Sequence, residues 1–386
     1  MAEPAGRGEG AMTRVASFGM SLGHTSGMQD HARLLAQALP AEGVSCSLHW
    51  LAREQRSLRT ARREVAEWTR GLEAALREER PSALVMHYAS FAYAHRGIPV
   101  FLGPALRAAR RCGAPLIALM HELAYPLRGG PRGFVWAGTH RAALLALMRA
   151  SVAAVVTTEQ RVAWLQSRRW LPRRPVAFAP VYSNLPPPHP SVPVDELRVG
   201  LFGYAYEGAN GGLVLDALSR LRGELPVRLE LLGAPGPGTA TAAAWLEQAQ
   251  RRDVREAIEF SGRLPAQELS DALAGCAVLL CAASPGPTSR KGTLAASLAS
   301  GRPVVAIDGH LTWEELREQD AARVVPADAS ALAAELGLLL SHDAEREALG
   351  ARGRAFHDRR MAAARTAELV KDLVLRLDAG HLTRRA

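Results

Sequence analysis

The sequence predicts an α/β protein made of two doubly wound domains, and three observations carry that prediction. Short β-rich runs alternate with amphipathic helical stretches almost throughout the 386 residues, which is how parallel strands joined by helical crossovers read in sequence. A stretch at 183–196, SNLPPPHPSVPVDE, breaks the alternation, because its five prolines can continue neither a helix nor a central strand. Immediately after it the alternation starts again, giving two similar halves and no short-period repeat.

The elements follow in order. In the first half, expected to run over 13–182, RVASFGM (14–20) is a strand. A glycine-containing turn leads from it to MQDHARLLAQAL, where Met28, Ala32, Leu35 and Leu39 recur at helical spacing. VSCSLHWL (44–51), ALVMHY (83–88), PLIALMH (115–121), AAVVTT (153–158) and PVAFAPV (175–181) read as further strands. Helical stretches lie between them, such as EVAEWTRGLEAALREE with Trp68, Leu72 and Leu76 on one face. After the linker at 183–196, a second domain is expected over 197–353, with strands LRVGLFGY (197–204), VRLELLG (227–233), AIEFSG (257–262), AVLLCA (277–282), PVVAI (303–307) and RVVP (323–326). From about Ala329 the chain reads as helical. Its last stretch, 354–378, is expected to be one long amphipathic helix offering Leu369, Val370, Leu373 and Leu375 for packing.

Composition narrows the function. With 48% hydrophobic and 22% charged residues the chain reads as an ordinary soluble protein. A net charge of +9 admits nucleic acid, an anionic membrane surface or a phosphorylated small molecule as partner. Dispersed arginines, 5% aromatic residues and the lack of any nucleic-acid motif argue against nucleic acid, while peripheral membrane contact stays open. MAEPAGRGEGAMT lacks the apolar core of a signal peptide, and no run of about 18 apolar residues occurs. Cys46, Cys112, Cys276 and Cys281 lack zinc or disulfide spacing, so buried thiols in a reducing cytoplasm are expected. No Asp-x-Asp occurs and no His/Cys/carboxylate cluster has ligand spacing, so no metal or other cofactor is expected.

In doubly wound sheets, ligands meet the loops that follow the strands. In SPGPTSRKGTLAASLASGRPVVAIDG (284–309), one of the chain's two lysines, Lys291, stands beside Arg290 at the mouth of a helix of small residues. Unpaired backbone N–H groups at a helix start, with two cations beside them, suit an anion. The first-strand loop GMSLGHTSGM contributes Gly19, Gly23 and Gly27, with Thr25 and Ser26 as N-cap candidates, but it is not a dinucleotide fingerprint. His121 and Glu122 end an apolar strand; a core histidine and a helix-start carboxylate are the alternative readings. HYASFAYAHRGIP (87–99), with Tyr88, Phe91, Tyr93, His95 and Arg96, either shapes an acceptor pocket or packs as a surface loop.

LRVGLFGY, LELLGAPG, IEFSGRLPAQELSDALAGCAVLL and SLASGRPVVA resemble, in order and spacing, the C-terminal domain of bacterial family 4 glycosyltransferases. GHTSGMQDHARLLAQAL and PLIALMHELAYP resemble that family's first helix and its histidine-ended strand. The resemblance implies the GT-B fold: two Rossmann-like domains facing a central cleft, with a C-terminal helix crossing back to the first. It implies transfer of a sugar from a nucleotide diphosphate-sugar to a hydroxyl-bearing small-molecule, glycan or lipid-linked acceptor, with retention and without a side-chain nucleophile. The donor diphosphate would then meet Arg290, Lys291, Gly292, Thr293 and Leu294. Gly203 and Tyr204 would line the donor loop, and Gly262, Arg263 and Leu264 would approach the base. His121 would reach the sugar or acceptor, with Gly23, His24, Thr25, Tyr88 and Glu122 on the acceptor side or in the cleft.

The chain departs from that family at four places. The family's paired carboxylates align with Thr288 and Ala296, and its diphosphate-neutralising Arg and Lys align with Tyr204 and Ala209. Either Arg290 and Lys291 have taken over the charge, or the chain is a catalytically silent binding or partner subunit. A nucleotide-sugar epimerase of the same fold is a further alternative, with Glu122 as its one obvious carboxylate.

Overall fold

A computed structural model describes residues 13–23, 26–127, 130–203, 210–233, 236 and 238–378. The chain divides into two compact units, one up to Pro180 together with the residues from Ala363 onward, the other from Val181 to Ala362.

The first unit runs β1 (Thr13–Leu22), α1 (Gly27–Ala38), β2 (Val44–Arg53), α2 (Leu58–Glu79), β3 (Ala83–Tyr88), α3 (Leu102–Cys112), β4 (Leu116–Met120), α4 (Gly130–Ala150), β5 (Ala153–Val156), α5 (Glu159–Gln166) and β6 (Val176–Phe178). Its strands form one sheet in the order β2-β1-β3-β4-β5-β6, every pairing parallel. All residues of β3 and β4 are buried, as expected of parallel strands covered on both faces. Caps set the helix starts: Ser57 accepts from the Thr60 N–H and Thr158 from the Arg161 N–H. That second cap explains why the strand expected to reach 158 stops at Val156.

The second unit runs β7 (Asp195–Phe202), α6 (Gly211–Leu221), β8 (Arg228–Leu232), α7 (Ala240–Gln250), β9 (Ile258–Gly262), α8 (Ala266–Ala274), β10 (Cys276–Cys281), α9 (Gly292–Ala299), β11 (Val304–Ile307), α10 (Glu315–Glu318), β12 (Arg323–Val325), α11 (Ala329–Ser341) and α12 (Asp343–Phe356). Its parallel sheet has the order β12-β11-β10-β7-β8-β9. The strand order reverses between β1 and β3 in the first unit and between β7 and β10 in the second. Such switch points open crevices at the carboxyl ends of the strands.

The proline-rich stretch is anchored to the second unit rather than left as a free linker. Ser270 Oγ donates to Pro186 O at 2.6 Å, and His189 meets Asp271 through its N–H at 2.8 Å and Nδ1 at 2.7 Å. Asp195 and Glu196 already belong to β7.

The helix expected over 354–378 is two pieces. A π-helical turn covers His357–Met361, and Ala362 is extended, before α13 (Ala363–Asp378). Phe356 and Met361, five residues apart, are both fully buried; an α-helix would put them on different faces, and a widened turn brings them together. α13 belongs to the first unit, where it packs on α1 and the 3-10 turn Leu39–Glu42. Thr366, Ala367, Val370, Leu373 and Val374 form its buried seam, whereas Leu375, expected to pack, is 47% exposed. Among the described residues, no helix is long and apolar enough to cross a membrane, and all four cysteines are free thiols.

Candidate functional site

In the second unit, the start of α9 lies at the switch point because it follows β10, the neighbour of β7. A tight turn leads into it: Thr288 Oγ accepts from the Arg290 N–H at 3.3 Å and Thr288 O from the Lys291 N–H at 3.1 Å. Lys291 is the N-cap residue, with extended backbone and no side-chain cap bond. The amides of Gly292, Thr293 and Leu294 therefore open α9 without a capping oxygen. Arg290 and Lys291 are exposed beside them. Partial desolvation, then the neighbouring Arg290, holds the Lys291 ammonium below its usual value. The positive end of a helix dipole and two side-chain cations thus converge on one spot.

Residues that sequence reasoning missed hold this mouth in place. Gly286 has φ 91°, and the loop after β11 bonds the β10–α9 loop at two points, Leu311 N–H to Pro285 O and Trp313 N–H to Pro287 O, both 2.8 Å. Gly309 lies so close that a Cβ there would sit 2.3 Å from the Pro285 carbonyl carbon. The only advance signal was the Ser-Pro-Gly-Pro run. The start of α6 is tied to the same place, since the Asn210 N–H donates to Ala282 O at 2.8 Å and Ser284 Oγ to Asn210 Oδ1 at 3.3 Å. Tyr204 and Ala209 lie outside the described residues. Gly203 extends the β7–β8 ladder, its N–H donating to Leu232 O at 3.2 Å. Gly262 has φ 68°, Arg263 is exposed and Leu264 half-buried. At the positions aligned with the family's carboxylates, Thr288 caps the turn and Ala296 is buried.

In the first unit the switch point gathers imidazoles. His121 follows β4 and is held by its N–H to Tyr88 O at 2.8 Å, and by Arg161 Nη1, which donates to its carbonyl at 2.7 Å. Its Nε2 lies 3.4 Å from Nδ1 of His87, the penultimate residue of β3, and the two rings stack with centroids 5.7 Å apart. His31 of α1 stands edge-on to both, with centroids 4.7 Å from His121 and 5.8 Å from His87. Burial lowers all three imidazoles, that of His121 to about 3, with Arg161 as second cause; neighbouring imidazoles lower the other two further. One ligand-type atom from each lies within 4.8 Å of the others. Spacing along the chain gave no sign of this group. The three residues are distant in sequence, and the order β1-β3-β4 with α1 brings them together.

A correction concerns Tyr88. Expected to border an acceptor site, it is fully buried and stacks on Tyr93 at 5.6 Å, with burial pushing its phenol up to about 12. The loop after β3 braces that strand, because the Tyr93 hydroxyl donates to His87 O at 2.9 Å. Glu122 is half-buried. Gly23 has φ 71°, and its N–H donates to Arg53 O at 2.9 Å. His24 and Thr25 lie outside the described residues, and Ser26 caps α1 by accepting from the Gln29 N–H at 3.4 Å.

The comparisons with known proteins agree with this architecture. Residues 197–342 match the family "Glycosyl transferases group 1". Sucrose-phosphate synthase from Thermosynechococcus elongatus superposes with a TM-score of 0.65 at 16% identity, covering 95% of this chain and 100% of its own. HepE from Anabaena, in complex with UDP-glucose, gives 0.65 at 13% identity, covering 94% and 99%. WaaG, a glycosyltransferase involved in lipopolysaccharide biosynthesis, gives 0.59 at 13%, covering 92% and 99%. No curated protein matches the chain by sequence. The chain has the two-domain α/β fold of these GT-B structures. Within it, the second unit carries the sequence pattern of the group 1 glycosyl transferases.

Proposed function

We propose that the enzyme transfers a sugar from a nucleotide diphosphate-sugar to a hydroxyl-bearing acceptor, with retention, and that the diphosphate lies at the start of α9. The carrying observation is the uncapped α9 terminus with Arg290 and Lys291 exposed beside it at the β7/β10 switch point. UDP-glucose in the HepE complex supports the choice of donor class. As the anomeric C–O bond breaks, charge builds on the leaving diphosphate, where amides, dipole and cations are already oriented. The acceptor oxygen attacks from the same face, and its proton passes to a leaving phosphate oxygen.

Lys291 carries the test. A charge-assisted hydrogen bond to bound diphosphate is worth about 1.5–3 kcal/mol, so Lys291→Ala should weaken UDP binding roughly 10- to 150-fold in calorimetry. Turnover should fall with it, because the contact strengthens as charge develops. A variant that binds and turns over donor like the parent would remove the anion from this helix.

A further inference from the structure

Three histidines stand at the carboxyl ends of the first unit's strands, on elements that cannot easily move. His87 lies in the β3–β4 ladder opposite Leu119, and His121 is tied to the end of β3 through Tyr88 O. His31 is a buried residue of α1. Tetrahedral zinc, with Zn–N distances of about 2.0–2.1 Å, sets its nitrogen ligands about 3.3 Å apart. His87 Nδ1 and His121 Nε2 are already at 3.4 Å, and the three residues each offer one ring nitrogen within 4.8 Å of the others'. His31 stands edge-on to the other two rings, at 88° to His121 and 69° to His87, while His87 and His121 stack on each other.

The surroundings suit ligation. Ser17 Oγ, fully buried, lies 3.1 Å from His87 Nε2. A hydroxyl can accept the Nε2 proton and so leave the Nδ1 lone pair facing the cluster, as a partner behind a metal-bound histidine does. The cluster contains no carboxylate and no thiolate, which disfavours the oxygen-seeking Mg²⁺ and Ca²⁺ and favours ions of the zinc type. His31 and His87 are buried whereas His121 is partly exposed, so the open side lies at His121.

We propose that His31, His87 and His121 bind one divalent transition-metal ion of the zinc type, with a fourth position left to an oxygen ligand. The site is independent of the α9 reading, and its readout uses metal alone.

The protein, stripped with a chelator, is titrated with Co²⁺ and followed by its visible spectrum, then with Zn²⁺ as competitor. One equivalent of Co²⁺ should produce the strong bands of a four- or five-coordinate site, and Zn²⁺ should abolish them. His31→Gln and His87→Gln should lose the bands, His189→Gln in the second unit should keep them, and Ser17→Ala should weaken Zn²⁺ affinity about 10- to 100-fold. Circular dichroism checks that each variant is folded. If a histidine variant does not fold, the parent spectrum decides alone. Weak octahedral bands in the parent, or parent-like bands in folded His31→Gln and His87→Gln, would overturn the site.

Discussion

The two units share one architecture, six parallel strands with helical crossovers, yet equip their switch points in opposite ways. The first gathers polar groups that can shed their charge, the buried His31 and His87 and the partly exposed His121. The second leaves two cations, Arg290 and Lys291, on the surface at a helix start. The difference follows from desolvation. An imidazole can be buried because it becomes neutral, whereas a guanidinium keeps its charge and stays in water until an anion arrives. The strand orders differ too: in the second unit two strands lie beyond β7 on the side away from β10, in the first only β2 lies beyond β1.

Breaking the comparison at its ends gives the largest effect. Ending the chain at Ala362 removes α13 and bares the apolar surface of α1 and the Leu39–Glu42 turn that Val370, Leu373 and Val374 cover. Scanning calorimetry should show the first unit's transition lost or strongly lowered, with aggregation, while the second unit's transition stays. An unchanged scan would count against α13 as part of that core.

Next come the cations themselves, Arg290→Ala and Lys291→Ala, each expected to cost roughly 10- to 150-fold in UDP affinity and nothing in Zn²⁺ binding at the histidines. Gly309→Ala sharpens the same point without touching a charge. Its Cβ would press on the Pro285–Gly286 backbone, costing about 1–3 kcal/mol of second-unit stability and disturbing the α9 mouth. Parent-like denaturant midpoint and UDP affinity would show that the loop yields freely.

The smallest effects serve as controls. Lys371 meets Glu42 at 3.5 Å on the first unit; Lys371→Ala should change stability by less than about 1 kcal/mol and leave UDP affinity alone. Added Mg²⁺ should likewise leave UDP affinity unchanged, because the side-chain cations stand in for it; calorimetry with Mg²⁺ or with chelator would reveal any dependence.

Much of this was legible from the chain. Apolar β-rich runs such as ALVMHY and PLIALM must be buried on both faces, so their alternation with helices announced parallel sheets. Arg290–Lys291–Gly292–Thr293 announced a basic helix mouth, because cap chemistry is local. Contacts between distant residues were not legible. Phe356 and Met361 read as one helix until a shared core demanded a π-turn, and Tyr88 read as pocket lining until Tyr93 covered it. Periodicity and capping depend on neighbours within a few residues, so the sequence by itself determined the fold class, the strands and the α9 cations. Which histidines meet depends on strand order and on burial from all sides, and only the tertiary structure decided that His31, His87 and His121 share one site.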